Sequence, residues 1–84
     1  MAYKIDYKKS VEKDLAHISK PEAKRILDKI DKTLVARPTD YPMLKGEFSG
    51  MRKLRVGDYR VIFVILDAEV LVLRIGHRKE IYGR

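Results

Sequence analysis

Apolar and polar residues alternate strictly at the beginning of the chain. The apolar positions there are Tyr3, Ile5 and Tyr7. A period of two is typical of a β-strand that turns one face to the core and the other to water. The pattern therefore predicts a short, half-buried first strand.

Two amphipathic helices are predicted next, because apolar residues now recur every three or four positions. The first covers about residues 8–19, with Ser10 as its N-cap. The second begins at Ser19 with Pro21 in its first turn, and it ends near residue 36, before Pro38. The apolar stripe of the second helix consists of Ile26, Leu27, Ile30, Leu34 and Val35.

The period returns to two after a loop over residues 39–49. Three strands are predicted, at about 50–56, 59–66 and 70–75, joined by tight turns at Gly57-Asp58 and Asp67-Ala68. In the first of them Lys53 and Arg55 point away from Leu54. The predicted fold class is α+β, a single domain over residues 1–84. In it two N-terminal helices pack on one face of a mainly antiparallel four-stranded sheet, in the order β-α-α-β-β-β.

The amino-acid composition limits the kinds of functional site and partner that can be expected. The chain has 84 residues, no cysteine and two histidines, which argues against disulfide, thiol and zinc sites. No signal peptide and no membrane-spanning stretch is expected, so we predict a cytoplasmic protein with no membrane partner. The net charge is +7 with an isoelectric point near 9.8, which favours a polyanionic partner.

Positive residues are interleaved with the apolar residues of the last strands. The candidate site consists of Lys53, Arg55, Arg60, His77, Arg78 and Tyr82. There is no Gly-rich phosphate loop, nucleophile elbow or carboxylate pair. The set suits attack of an RNA 2′-hydroxyl on the adjacent phosphate, which needs a base, positive groups for the pentavalent phosphate and a donor for the leaving oxygen.

The motifs in this part of the chain resemble those of RelE-type toxins of the RelE/ParE toxin–antitoxin superfamily. They are Leu44-Lys-Gly, Lys53-Leu-Arg, Gly57-Asp-Tyr-Arg-Val and Gly76-His-Arg followed by Tyr82. The predicted element order and the length fit as well, so the resemblance covers the whole chain. It implies a ribosome-dependent mRNA interferase that cleaves A-site codons through a 2′,3′-cyclic phosphate, with no metal or other cofactor.

The resemblance also implies roles for single residues. Lys53 would be the general base, Arg60 would bind the scissile phosphate, and Arg78 would stabilise the transition state or act as the acid. Arg55 would hold the RNA backbone, together with Lys53 and Arg60. Tyr82 would stack on a codon base, and His77 would assist acid–base chemistry. Met51 stands where several relatives have a second lysine.

The sequence also allows purely structural roles for these residues and other functions for the protein. The cations can be ordinary solvated charges, Arg60 can form an ion pair with Asp58, and Arg74 shares one face with Val72 in a regular strand. ParE-type toxins have the same fold and inhibit DNA gyrase, and an inactive module would only bind its antitoxin. The implied partners are an acidic antitoxin, the ribosome with its mRNA, and operator DNA through the antitoxin.

Overall fold

The computed structural model describes residues 2–79, except for the side chain of Glu47. The helices and strands follow in the order β1 (Lys4–Tyr7), α1 (Ser10–Ala16), α2 (Lys20–Thr33), β2 (Arg52–Val56), β3 (Tyr59–Leu66) and β4 (Glu69–His77). Two short 3-10 helices, Pro38–Asp40 and Gly46–Phe48, lie in the predicted loop before β2. The predicted α+β class and element order are confirmed. No helix within residues 2–79 has the length and apolar character needed to cross a membrane.

The four strands form one sheet in the order β1-β4-β3-β2. The pairs β2–β3 and β3–β4 are antiparallel, whereas β1 is parallel to β4. A parallel neighbour requires a crossover, and here α1, α2, β2 and β3 all lie between β1 and β4 in the chain. β3 and β4 are therefore the central strands, which agrees with the nearly continuous apolar run in β3.

The core lies between one face of the sheet and the two helices. Its buried residues from the helices are Val11, Ile26, Ile30 and Leu34. Those from the strands are Leu54, Val56, Val61, Phe63, Val70, Val72 and Ile75. The face of the sheet that carries these strand residues is called the inner face below, and the opposite face the outer face.

Helix α1 also covers the free edge of β4, because β1 ends halfway along that strand. The backbone N–H of Lys8 donates to the carbonyl of Val72 at 2.8 Å, and the Ser10 hydroxyl donates to the carbonyl of Leu73 at 3.2 Å. The prediction that Ser10 caps α1 was wrong: Ser10 is the first helical residue, and Lys9 occupies the cap position without a side-chain hydrogen bond. The hydroxyl instead satisfies an edge carbonyl of the sheet.

A β-bulge interrupts the pairing of β3 with β4. Ile62 lies opposite Arg74 and Phe63 lies opposite Val72, so Leu73 is the extra residue. Because of the bulge, Val72 and Arg74 do not share a face, contrary to the regular alternation that we expected. Val72 is in the core with Phe63, and Arg74 lies on the outer face with Ile62.

Candidate functional site

Three of the predicted site residues share the outer face of the sheet. Leu54 and Val56 are buried in the core, so Lys53 and Arg55 point outward, as predicted. Arg60 faces outward on β3, where it lies directly opposite Arg55. We call the surface formed by Lys53, Arg55 and Arg60 the cationic face.

The Arg55–Arg60 pair brings two guanidinium groups into neighbouring positions. Directly opposed residues of antiparallel strands have Cα atoms about 4.5–5.5 Å apart, and like charges in this arrangement are unfavourable. Lys53 lies one row further along, opposite Ile62. None of these three cations forms an ion pair with a carboxylate within residues 2–79. This arrangement provides an electrostatic attraction for an anion.

Arg60 is only 9% exposed, which is unusual for a charged residue that has no counter-ion within the described part of the chain. Its Nη1 group donates to the backbone carbonyls of Gly57 and Tyr59 at 3.3 and 3.2 Å, both long hydrogen bonds. The ion pair with Asp58 that the plainer reading of Arg60 invoked does not form. The guanidinium is thus oriented by neutral groups, and no carboxylate within residues 2–79 pairs with it.

The tight turn between β2 and β3 brings Arg78 to the same end of the sheet. Gly57 has a φ of 60°, a value that glycine adopts without steric cost. The backbone N–H of Arg78 donates to the carbonyl of Asp58, the second turn residue, at 2.9 Å. Arg78 is exposed and follows β4 directly, two positions beyond Gly76, the residue opposite Arg60.

His77 lies on the other side of the sheet from the cationic face. It is paired with Tyr59, which packs against the core, and the two rings meet edge to face with centroids 5.7 Å apart. The backbone N–H of Lys79 donates to Nδ1 of His77 at 3.2 Å, so the ring carries its proton on Nε2. The structure therefore does not bring His77 together with Lys53 and Arg60.

The two residues next to Lys53 also occupy defined positions. Arg52 points to the inner face, and its Nη1 group donates to the carbonyls of Tyr41 and Thr39 at 2.7 and 3.4 Å. It therefore fixes the loop before β2 and does not replace the missing second lysine. Met51 is half-buried and precedes the strand. The predicted stacking residue Tyr82 lies outside the described residues.

Arg74 is the cation that the sequence pattern did not assign to this surface. The row that contains Lys53 continues through Ile62 to Arg74, so the bulge places Arg74, which forms an ion pair with Asp14, on the outer face. The segment from Leu71 to Leu73 is uniformly apolar and contains no glycine. No signal in the sequence marks the bulge.

Within residues 2–79, the group whose pKa is clearly shifted is the phenol of Tyr7. Burial of the phenol raises the pKa of Tyr7, and the negative charge of Asp31 raises it further. Tyr7 is paired with Val72 on β1 and so belongs to the inner face. It is therefore separate from the cationic face.

The fold and the sequence both have clear relatives. A family model described as the ParE toxin of the type II toxin–antitoxin system parDE matches residues 5–82. None of the functionally curated proteins matches the chain in sequence.

Three solved structures illustrate the likeness. The toxin–antitoxin complex RelBE2 from Mycobacterium tuberculosis contains a chain with a TM-score of 0.87 and 23% identity, with 95% of each chain covered. A chain of the archaeal RelE–RelB complex from Pyrococcus horikoshii has a TM-score of 0.68 and 29% identity, with 95% of this chain and 99% of that one covered. A chain of the RelB–RelE complex from Methanococcus jannaschii has a TM-score of 0.70 and 26% identity, with 92% and 94% covered.

The match to the family model spans almost the whole chain, and the four-stranded sheet with its two helices is that of RelE chains from toxin–antitoxin complexes. The resemblance inferred from the sequence motifs is thereby confirmed. The chain belongs to the ParE toxin family of type II toxin–antitoxin systems, within the RelE/ParE superfamily.

Proposed function

We propose that this toxin is a metal-independent endoribonuclease that cleaves mRNA in the A site of the ribosome. The observation that carries the proposal is the cationic face: Lys53, Arg55 and Arg60 lie together without a carboxylate partner within residues 2–79. A fold that places like charges opposite each other loses stability, which an anionic ligand restores on binding. A phosphodiester that gains charge in a pentavalent transition state is such a ligand.

The proposed roles follow the positions of the side chains. Arg60, oriented by two backbone carbonyls, binds the scissile phosphate through its free N–H groups. Lys53 acts on the 2′-hydroxyl, with Arg55 and Arg60 on the same face beside it. Arg78 stabilises the developing charge or protonates the leaving oxygen, and Tyr82 stacks on a base. His77, on the inner face, is given no part in the proton transfers.

Dependence on the ribosome follows from the composition of the site. Lys53 and the arginines are poor general acids and bases in comparison with a pair of groups that titrate near neutral pH. Such a site depends on precise placement of the 2′-hydroxyl in line with the leaving oxygen, and the ribosome holds an A-site codon in a fixed conformation. We propose that the toxin acts there, in the cytoplasm, until an acidic antitoxin covers it.

Primer extension on mRNA bound to programmed ribosomes tests the proposal. The wild-type toxin is expected to cut within the A-site codon, and Arg78→Ala and Lys53→Ala are expected to cut at least about a hundredfold more slowly. Arg37→Ala is a matched control, because it also removes one exposed guanidinium, which pairs with Asp40 away from the cationic face. Intact mRNA with the wild-type toxin would refute cleavage.

Inhibition of DNA gyrase is the second candidate function. The family model that matches residues 5–82 is the one described for ParE toxins, which supports this alternative. A supercoiling assay separates the two functions. If the wild-type toxin blocks supercoiling while ribosome-bound mRNA stays intact, the gyrase function replaces the proposed one.

A further inference from the structure

A cleft of about 490 Å³ lies between helix α1 and the ends of β3 and β4, where inner-face residues such as Tyr59 and His77 line it together with Arg74. The charged and aromatic side chains that line it are Lys13, Asp14, His17, Tyr59, Arg74 and His77. None of the roles proposed above uses this cleft. Its lining combines positive charge with aromatic rings.

Asp14 holds Arg74 at the mouth of the cleft. The Nε and Nη2 groups of Arg74 donate to the two carboxylate oxygens of Asp14 at 3.1 and 3.4 Å. Asp14 is itself fixed, because its Oδ2 atom also accepts the backbone N–H of Ile75 at 2.9 Å. The Asp14 side chain is only 14% exposed, while that of Arg74 is 53% exposed. One edge of the guanidinium is therefore anchored, and its Nη1 group has no protein partner within residues 2–79.

Arg74 belongs to both surfaces. The bulge at Leu73 places it in one row with Lys53 and Ile62 on the outer face, and the contact with Asp14 bends it over the edge of β4 towards the cleft. A bulge that re-aims a side chain beside a site is a recurrent feature of β-sheets. Arg74 thus links the row of Lys53 on the outer face, on the far side of apolar Ile62, with the cleft.

The walls of the cleft suit a nucleobase. Tyr59 and His77 form an edge-to-face pair, and the Nε2–H of His77 remains a donor because Nδ1 accepts the N–H of Lys79. His17 uses Nδ1–H on the carbonyl of Lys13 at 2.9 Å, which leaves its Nε2 atom free as an acceptor. Aromatic faces beside cations and a few polar atoms are the usual means of binding single-stranded RNA.

We propose that this cleft binds a nucleotide that flanks the cleaved one on the same RNA strand. Arg74 and Lys13 contact its phosphate, the aromatic wall contacts its base, and Asp14 is the positioning residue that holds Arg74. The inference rests on the proposed endoribonuclease function and extends it with a second binding site. An acidic peptide would use the two cations but would leave the aromatic wall without a matching surface.

Binding of single-stranded RNA of two lengths tests this proposal. RNA methylated at every 2′-oxygen cannot be cut, so its affinity can be measured by fluorescence anisotropy. For an oligonucleotide of about nine residues, Arg74→Ala is expected to weaken binding about tenfold, as loss of a charge-assisted phosphate contact does. The slope of log K against log salt is expected to fall by about one. A trinucleotide confined to the cationic face is expected to bind both proteins equally.

Two further variants distinguish a lost RNA contact from a general effect of Arg74→Ala on folding. Lys13→Ala removes an exposed cation that has no ion pair within residues 2–79, and it is expected to weaken binding of the longer RNA severalfold. Asp14→Asn keeps an acceptor for the N–H of Ile75 but loses the charge that holds Arg74, so it is expected to reproduce part of the Arg74→Ala loss. Arg37→Ala, the matched control, is expected to bind both RNAs as the wild type does.

Each other outcome contradicts the proposal. Unchanged affinity of Arg74→Ala for the longer RNA, or equal losses at both lengths, would exclude a separate subsite. A loss of antitoxin affinity with unchanged RNA affinity would assign the cleft to the protein partner. If A-site cleavage by the wild type is also absent, the proposed function fails. If that cleavage is present and Arg74→Ala behaves as the wild type, only the subsite fails.

Discussion

Two arginines eight positions apart illustrate how the same side chain performs different tasks in this toxin. Arg52 lies on the inner face, and one of its hydrogen bonds, to the carbonyl of Tyr41, is short at 2.7 Å. Arg60 lies on the outer face with two long bonds to carbonyls of its own turn, and Arg55 lies opposite it. The first arginine fixes a loop to the sheet. The second holds a positive charge where the fold itself gains little from it.

Substitution of these two arginines by methionine is expected to have opposite effects. Arg60→Met should leave the free energy of unfolding unchanged or raise it by about 1 kcal/mol, because a poorly compensated buried charge is removed. Arg52→Met should lower the same quantity by about 1–2 kcal/mol, because two backbone carbonyls lose a charged donor. Urea denaturation measures both changes.

The same two variants are also expected to differ in cleavage activity. In the A-site cleavage assay, folded Arg60→Met is expected to be inactive, and Arg52→Met is expected to retain activity at temperatures where it is folded. A marked loss of stability in Arg60→Met would mean that Arg60 is mainly structural and would remove it from the proposed site.

Among the elements, β4 decides the arrangement of the molecule. It pairs with β1 over its first half and with α1, through Ser10 and Asp14, over its second half. The bulge at Leu73 lies where these two neighbours meet. Because the bulge reverses the direction of Arg74, one extra residue in one strand determines whether this arginine faces the core or lies on the outer face with Ile62.

The β2–β3 turn sets the register that opposes Arg55 and Arg60, and its glycine provides a test at this scale. Gly57→Ala is expected to cost about 1 kcal/mol in the free energy of unfolding, because the φ of 60° disfavours a side chain. A Cβ atom there would lie 2.7 Å from Nη2 of Arg25, but that side chain is more than half exposed and can move at the expense of its surface ion pair with Glu22.

Gly46→Ala is the matched control for the turn. Gly46 has a φ of 69°, and a Cβ atom there would meet nothing within 4 Å. We therefore expect both variants to lose similar stability in chemical denaturation. A loss for Gly57→Ala that exceeds the control by about 2 kcal/mol would mean that Arg25 is held rigidly over the turn, contrary to this interpretation.

At the scale of the whole molecule, charge and uncovered apolar surface lie on the same side of the sheet. The net charge is +7, and beyond the cationic face the outer surface continues with half-buried Val64 and Leu71 and with exposed Leu66. A partner that is acidic and partly disordered can neutralise the first region and cover the second as it folds. These are the surface properties expected of a toxin that is kept silent by an antitoxin.

Binding of the antitoxin is therefore expected to weaken with salt. Between about 0.1 and 1 M salt the Debye length falls from about 10 to about 3 Å, and we expect the Kd to rise at least about tenfold in isothermal titration. Replacing Lys53 and Arg55 by glutamine should flatten this dependence. Replacing Lys24 and Lys29 on α2 by glutamine removes the same charge from another part of the surface. This double substitution should leave the salt dependence of antitoxin binding unchanged. A flat titration with the wild type would contradict an electrostatic interface.

Much of the architecture was predictable because it depends on local patterns. The periods of two and three to four identified the strands and α-helices that the structure describes, Pro21 marked the start of α2, and Leu54 with Val56 identified the inward side of β2. The outward direction of Lys53 and Arg55 follows from the same alternation. The family motifs added Arg60 and Arg78, whose backbone segments are brought to the same end of the sheet by the β3–β4 pairing and by the hydrogen bond of Arg78 to the turn residue Asp58.

Other features of the structure could not be predicted from local sequence patterns. Residue type and spacing by themselves determined the elements, the inward and outward sides of regular strands, and the positive charge of the last third of the chain, because each depends only on near neighbours in sequence. Tertiary structure alone decided that β1 runs parallel to β4, that Ser10 binds the carbonyl of Leu73, that His77 turns to the inner face, and that Arg74 lies on the outer face. In each case the deciding partner lies on another element, and the pairing register between elements leaves no trace in a single run of residues.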